Sequence, residues 1–361
     1  MGDSHRIGII GLGVISSQYL ETLLPRDDVR VTAVSDLDHA RAIAAADWLP
    51  HARAVTVAEL LTSDEVDIVL NLTNPGAHAE IALDAIAAGK DVYGEKPLAA
   101  VFADAKRVVA EADAAGVRLG CAPDTVLGTG VQTARAVVDR GGIGRPLAAS
   151  AVMASPGHER WHPNPGFYYQ AGGGPLLDMG PYYVAALVHL LGPVTAVVGA
   201  GSRLRGERTI ATGPRAGERV AVEVDTHVTG VLEHEGGVLS TLTTSFDSVS
   251  TFAGSIEVHG ELASLSVPDP NHFAGAAQVY RLGASAWETV APSAGLIDGS
   301  RGAGLLDLIA TPRGQDSRAS GRFALHTLEV ITALLDSAQA GHRVTLETTT
   351  TRPQMAPLSK M

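Results

Sequence analysis

One cysteine, Cys121, stands in a chain of 361 residues. A single thiol excludes an intrachain disulfide and any zinc site built from several cysteines. It fits a reducing compartment, so a cytoplasmic protein is the expectation. Aromatic residues are also scarce, at 4%, and the core must therefore rest on small aliphatic side chains and close backbone contacts. Nowhere do five basic residues follow one another, and the net charge is −12. Neutralising a phosphate backbone takes clustered Lys and Arg, which argues against a nucleic-acid partner. The longest apolar stretch, Val184 to Ala200, is interrupted by His189 and Gly192-Pro193 and is unsuited to crossing a bilayer. The N-terminus shows no basic-then-apolar leader, since Asp3, His5 and Arg6 run straight into an apolar segment. No membrane partner is expected.

What remains is an ordinary globular mixture, 45% hydrophobic and 18% charged. Its length exceeds what one core usually covers, so two domains are expected, over 1–125 and 126–361. Residues 6–121 alternate short apolar runs with helical stretches. The runs are Arg6–Ile10, Val29–Val34, Asp67–Leu72, Asp91–Tyr93 and Val117–Cys121. The helical stretches are Ile15–Leu24, His39–Ala46, His78–Ala88 and Ala103–Ala115. Repeated βα units of this size imply an α/β fold with a doubly wound parallel sheet. Beyond residue 125, strands with period-two alternation dominate, as in Asp225–Glu233, Val238–Ser245 and Ser255–His259. They predict an α+β second domain with a mostly antiparallel, open sheet. Arg301–Gly321 reads as a mobile surface loop, followed by a closing helix over Arg322–Ala338.

The turn Gly11-Leu12-Gly13-Val14-Ile15-Ser16 follows the first strand and opens a helix. In that context Gly11 permits a tight turn, and Gly13 lets a pyrophosphate approach the backbone and the positive helix end, beside Val14 and Ile15. Asp36, twenty residues beyond Ser16, follows the second strand, where a carboxylate accepts ribose hydroxyls and repels a 2′-phosphate. NAD is therefore expected over NADP, with Arg41 read as a solvated helix residue. Thr73 and Asn74 lie at the end of the third strand, with His78 entering the next helix. All three are candidate cofactor contacts, because strand C-termini face the ligand crevice in such sheets.

Gly94-Glu95-Lys96-Pro97 ends the fourth strand and places an ammonium group in the same crevice, with Glu95 beside it as a further cofactor-side candidate. Desolvation there would bring Lys96 toward the range useful for proton transfer. Further on, Asp178 and Tyr182 are four residues apart and share one face of a helix that follows Gly172-Gly173-Gly174-Pro175. A carboxylate and a phenol so placed can hold a hydroxyl and relay its proton, or form a purely structural pair. Together these features predict a nicotinamide enzyme acting on an alcohol.

These motifs occur in the order Gly-rich fingerprint, Thr73-Asn74-Pro75-x-x-His78, Glu95-Lys96-Pro97 and Gly172-Gly173-Gly174-x-x-x-Asp178-x-Gly180. As a set they resemble the glucose–fructose oxidoreductase/inositol dehydrogenase/MocA family across roughly residues 6–270. The resemblance implies an N-terminal Rossmann domain and a C-terminal α/β domain whose open sheet forms homodimer or homotetramer contacts. It implies NAD(P)-dependent oxidation or reduction of sugars and cyclitols without a metal. It makes Lys96 the catalytic lysine and Asp178 the catalytic carboxylate. Where the family usually has His, four residues after that Asp, this chain has Tyr182. A phenol ionises near pH ~10 and imidazole near ~6.5, so whether Lys96 or Tyr182 accepts the proton stays open. Many members carry an Arg-containing segment where this chain has Cys121-Ala122-Pro123-Asp124-Thr125, and Asp124 there is expected to alter which substrate groups are read.

The segment 157–169 concentrates rare aromatic residues just before the Gly-rich block. Trp161 and Tyr168 are candidates to stack on a sugar or cyclitol face, with His158, Arg160 and His162 meeting hydroxyls or an anionic substituent. Two histidines four apart suggest zinc, but Pro163 follows His162 and no Glu stands between them in a helical pattern, so no metal is expected. The expected activity is an NAD-dependent dehydrogenase of a sugar, sugar derivative or cyclitol. One alternative is an NAD-dependent glycoside hydrolase that oxidises a sugar, eliminates the aglycone, adds water and reduces again. A second is a regulatory protein that keeps NAD without chemistry.

Overall fold

A computed structural model describes residues 4–361. The chain forms two compact units: residues through Leu127 together with Gly299–Leu325, and Gly128–Asp298 together with His326–Lys360.

The first unit is built on β1 (His5–Ile10), α1 (Val14–Leu23), β2 (Val29–Ser35), α2 (His39–Ala46), β3 (Arg53–Ala54), α3 (Val57–Thr62), β4 (Ile68–Asn71), α4 (His78–Ala87), β5 (Asp91–Gly94), α5 (Phe102–Ala115) and β6 (Leu119–Cys121). All six strands are parallel, in the order β3-β2-β1-β4-β5-β6. Ile7, Ile9, Ile68 and Leu70 are wholly buried, as strands covered on both faces require. The order reverses between β1 and β4, and a crevice opens at the C-terminal ends of strands that part in this way. Helix starts follow local capping: Asp38 accepts the Ala40 N–H at α2, and Thr56 and Glu59 form a reciprocal box at α3. β3 and α3 are not among the elements expected from sequence, although Thr56-x-x-Glu59 carries a readable signal for α3.

The second unit opens with α6 (Thr129–Asp139), β7 (Pro146–Ala154), α7 (Pro175–Leu191) and β8 (Val194–Ser202). A two-stranded ribbon of β9 (Glu207–Thr209) and β10 (Arg219–Ala221) comes next. Then follow β11 (His227–His234), β12 (Leu239–Ser245), β13 (Ile256–Gly260), β14 (Ala263–Val267), β15 (Gln278–Arg281), β16 (Glu288–Thr289) and β17 (Leu296–Ile297). With β18 (Val344–Thr345) they form a nine-stranded sheet, β16-β15-β14-β13-β7-β12-β11-β8-β18, while β17 pairs with β19 (Ser359–Lys360). Only the β7–β12 pair of the large sheet is parallel. Burial alternates along β7 and β14, and α7 packs on β7, β11 and β12. This is the α+β unit with a mostly antiparallel sheet that the patterning predicts.

The segment 301–321 corrects the sequence reading. It contains α8 (Ala303–Ala310), belongs to the first unit and is not a surface loop. Leu305 and Leu308 are buried in the core with Tyr19 and Tyr93. Each end of α8 is held by a charge of the sign its dipole favours. Asp124 Oδ2 accepts the N–H groups of Gly302 at 2.9 Å and Gly304 at 3.1 Å. Arg118 Nη1 donates to the carbonyls of Leu308, Ile309 and Thr311. Asp124 is fully buried, and that burial raises its pKa against the opposing pull of Arg301. Its oxygen serves the fold, which overturns its reading as a substrate contact. The chain closes with α9 (Gly321–Ala340). Among the described residues no helix is long and apolar enough to cross a membrane.

Candidate active site

In the first unit, the turn after β1 meets the loop after β4. Gly11 has φ +94°, and a Cβ there would lie 2.6 Å from the Leu72 carbonyl oxygen. Only glycine accommodates both conditions. Gly13, at the start of α1, faces open space, and no side chain caps the helix there. The residue in place of a third glycine, Ser16, is buried and donates its Oγ–H to the Gly13 carbonyl at 2.7 Å. A cavity of about 660 Å³ adjoins the turn, lined among others by Gly11, Gly13, Asp36, Arg41, Thr73 and Asn74. An uncapped helix N-terminus, a side-chain-free turn and a carboxylate at the end of the next strand fit a dinucleotide. Val14 is exposed and Ile15 packs on the core, so their contribution to such a ligand is backbone N–H.

Asp36 is more engaged than its sequence position suggests. Its carboxylate accepts the Leu12 N–H at 2.7 Å and the Asp38 N–H at 2.8 Å, fastening the glycine turn to the end of β2. Burial alone would raise its pKa, yet the two backbone donors and Arg41 win and lower it. Arg41 is not merely solvated: its Nη1 lies 3.2 Å from Asp36 Oδ1. The Asp36 carboxylate thus carries an arginine partner that the sequence did not reveal.

The ends of β4 and β5 are braced together. Asn71 Oδ1 accepts from the Thr73 hydroxyl and N–H, and Asn71 Nδ2 donates to the His78 carbonyl. His78 is buried, with Nδ1 2.6 Å from the Pro97 carbonyl and Nε2 2.9 Å from that of Thr73. Its ring meets carbonyls on both sides, which braces the turn that carries Lys96. Glu95 is similarly occupied: Oε1 accepts the Tyr19 hydroxyl at 2.9 Å and Oε2 the Lys96 N–H at 3.0 Å. Tyr19 is wholly buried, and its pKa is raised by that burial first and by Glu95 second. Lys96 itself is half-buried at the end of β5. Tyr19, absent from the sequence candidates, ties the helix behind the glycine turn to the lysine segment; as one aromatic position on an amphipathic helix it gave no signal.

In the second unit, α7 carries Asp178 and Tyr182 one turn apart, Asp178 half-buried and Tyr182 buried. The glycine block before α7 passes against the aromatic loop so closely that a Cβ at Gly173 would lie 2.5 Å from the Phe167 carbonyl oxygen. That approach brings His158 Nε2 to 2.9 Å from Asp178 Oδ2. Ring contacts join His158 to Trp161 and Tyr168, and His162 to Trp161 and Tyr168. Trp161 leaves much of its surface exposed, while Arg160 is exposed and outside this ring cluster. Beneath the loop Glu159 and Arg208 are buried as an ion pair at 3.2 Å, and Arg208 also reaches Asp247 at 2.5 Å. The Tyr169 hydroxyl donates to Glu159, and burial chiefly raises its pKa. Phe246, from beyond β12, packs on His158 at a centroid distance of 4.4 Å and was not anticipated from sequence.

Comparison with known proteins agrees with this geometry. Residues 5–122 match the oxidoreductase family with an NAD-binding Rossmann fold, and residues 131–266 match the GFO/IDH/MocA C-terminal domain. Myo-inositol 2-dehydrogenase of Thermotoga maritima is 30% identical over 257 residues, 71% of this chain and 72% of that protein. The chain belongs to the GFO/IDH/MocA family. Inositol 2-dehydrogenase 3 of Saccharopolyspora erythraea is 35% identical over 158 residues, but the match spans only 42% of this chain and 45% of that protein. An NAD binding oxidoreductase from Klebsiella pneumoniae has the same fold, with a TM-score of 0.81 at 24% identity over 95% of this chain and 99% of that one. Family membership identifies the first unit as a Rossmann domain of the NAD-binding class.

Proposed function

We propose that the chain is an NAD-dependent dehydrogenase that moves a hydride between the nicotinamide and a hydroxyl or keto carbon of a cyclitol or sugar. The observation that carries this reading is that the first unit has both a cleft lined by the glycine turn and Asp36 and a lysine segment fastened at the end of β5, where the Lys96 N–H donates to Glu95 and the Pro97 carbonyl meets the His78 ring. Gly11, Gly13 and the first N–H groups of α1 hold the pyrophosphate, Asp36 meets the ribose, and Thr73 and Asn74 line the way toward the nicotinamide. NAD, when bound, accepts or returns the hydride. Lys96 exchanges the proton of the reacting hydroxyl, and Tyr182 assists it. Asp178 accepts a hydrogen bond from a substrate hydroxyl and fixes its orientation. Trp161 offers a flat face to the ring, with Tyr168 and His162 beside it. The inositol dehydrogenases named above favour a cyclitol as the first substrate to try.

The test is NADH formation from a panel of cyclitols, aldoses and glycosides, read alongside aglycone release. Lys96→Ala is expected to lower kcat by about 10²–10⁴-fold, the usual contribution of a proton-transfer group. The NADH dissociation constant should stay within about a few-fold, because uniform cofactor binding is a separate contribution. Full turnover by the variant, or aglycone release with no NADH from any free polyol, would overturn the assignment.

A further inference from the structure

The Asp178 carboxylate is met by a group from another part of the second unit. His158, in the loop after β7, places Nε2 2.9 Å from Asp178 Oδ2. His158 is buried, and its imidazole lies against Tyr168, Phe246 and Trp161, at centroid distances of 4.2, 4.4 and 5.1 Å. Its other nitrogen, Nδ1, is buried without a hydrogen-bond partner. The main chain is pinned as well: the His158 N–H donates to the Tyr169 hydroxyl at 3.0 Å, and that hydroxyl donates to Glu159. Arg208 engages the other Glu159 oxygen, so this neighbouring carboxylate has its own partners.

Two elementary constraints fix the protonation of the ring. An ionised carboxylate only accepts, so the proton between Oδ2 and Nε2 belongs to Nε2. A second proton on Nδ1 would bury a donor with no acceptor among aromatic rings, which is costly. The ring is therefore neutral, with its hydrogen on Nε2 and a bare lone pair on Nδ1. A donor caged on a pinned backbone restricts the rotamers open to the carboxylate it meets.

We propose that His158 is a positioning residue for Asp178: as a neutral Nε2–H imidazole it fixes the orientation of the carboxylate through Oδ2. The inference rests on the assignment of Asp178 to the substrate site under the proposed function. It moves His158 from direct substrate contact to a place behind the residue that makes it.

Nitrogen NMR of the full-length protein labelled at histidine tests the tautomer without any substrate. The His158 signals, assigned by their loss in His158→Gln, should show a pyrrole-type Nε2 and a pyridine-type Nδ1. Imidazolium-type signals, or the opposite tautomer, overturn the proposal. Kinetics then separate positioning from packing. His158→Phe fills the aromatic cage but donates nothing, and kcat should fall about ten- to a hundredfold, the range expected when a hydrogen bond to a charged group is lost. His158→Gln restores a donor and should recover most of that loss, with the NADH dissociation constant unchanged in both variants. Undiminished kcat in His158→Phe, or no recovery in His158→Gln relative to it, overturns the proposal. If the wild-type protein oxidises no polyol at all, the assigned function fails, while the nitrogen signals still decide the state of the His158–Asp178 pair.

Discussion

The turn after β1 and the loop after β7 each follow a strand, yet they offer a ligand opposite things. The first offers main chain: Gly11 is pressed against Leu72, Gly13 faces open space, and N–H groups at the start of α1 point outward from an uncapped helix. The second offers side chains: five rings, from His158, Trp161, His162, Phe167 and Tyr168, laid over a buried Glu159–Arg208 pair. A backbone site is exacting about its own residues, because any added atom occupies the ligand's space or strains the turn. A side-chain site is modular, since each ring contributes a separable increment and can be exchanged alone. The contrast is what the proposed function requires, a constant nucleotide held by main chain and a variable polyol read by side chains.

The sharpest way to break that contrast is to add a single methyl group to the turn. Gly11→Ala combines an unfavourable φ with a clash against Leu72 and should destabilise the protein by about 2–5 kcal/mol in urea unfolding, with NADH affinity lost alongside. A variant with wild-type stability and affinity would show that the turn is not exacting. A smaller effect is expected from Trp161→Ala, whose ring contributes stacking worth roughly 0.5–1.5 kcal/mol. KM for the polyol should rise up to about tenfold at unchanged NADH affinity and unchanged stability. Loss of cofactor binding there would contradict the separation of the two sites. Smallest is Arg41→Ala. Its ion pair with Asp36 is half exposed at the arginine, so the change should stay within about fivefold. Its direction is the informative part: NADPH should weaken relative to NADH as the carboxylate loses its cationic partner. Equal changes for both cofactors would leave Arg41 no part in discriminating between them.

Sequence periodicity disclosed the elements whose signal is local. Buried strands read as unbroken apolar runs, α2 matches its expected limits residue for residue, and the glycine turn, Asp36 and Lys96 stand where βα spacing places them. Failures arose where a residue's meaning depends on a distant partner. Segment 301–321 looks like a loop because glycine, serine and proline flank its apolar Leu305-Leu306, and nothing nearby announces that Asp124 and Arg118 will hold both ends of α8. That two carbonyls from separate loops meet the His78 ring is likewise invisible in its own segment. The His158–Asp178 pair spans twenty residues that follow no helical or strand period, so only the folded chain joins them. Arg41, five residues after Asp36, was visible, but its side-chain direction was not.

The return of residues 299–325 makes the two units interleave along the chain, which leaves the first, comes back to it and then goes on to complete the second. A protein cut after Leu127 would lack the lid over Tyr19 and Tyr93, and its six-stranded sheet would present a greasy scar to solvent. Anyone dissecting this molecule into a freestanding nucleotide-binding module must therefore splice 299–325 back, through a short linker or as a peptide supplied in trans.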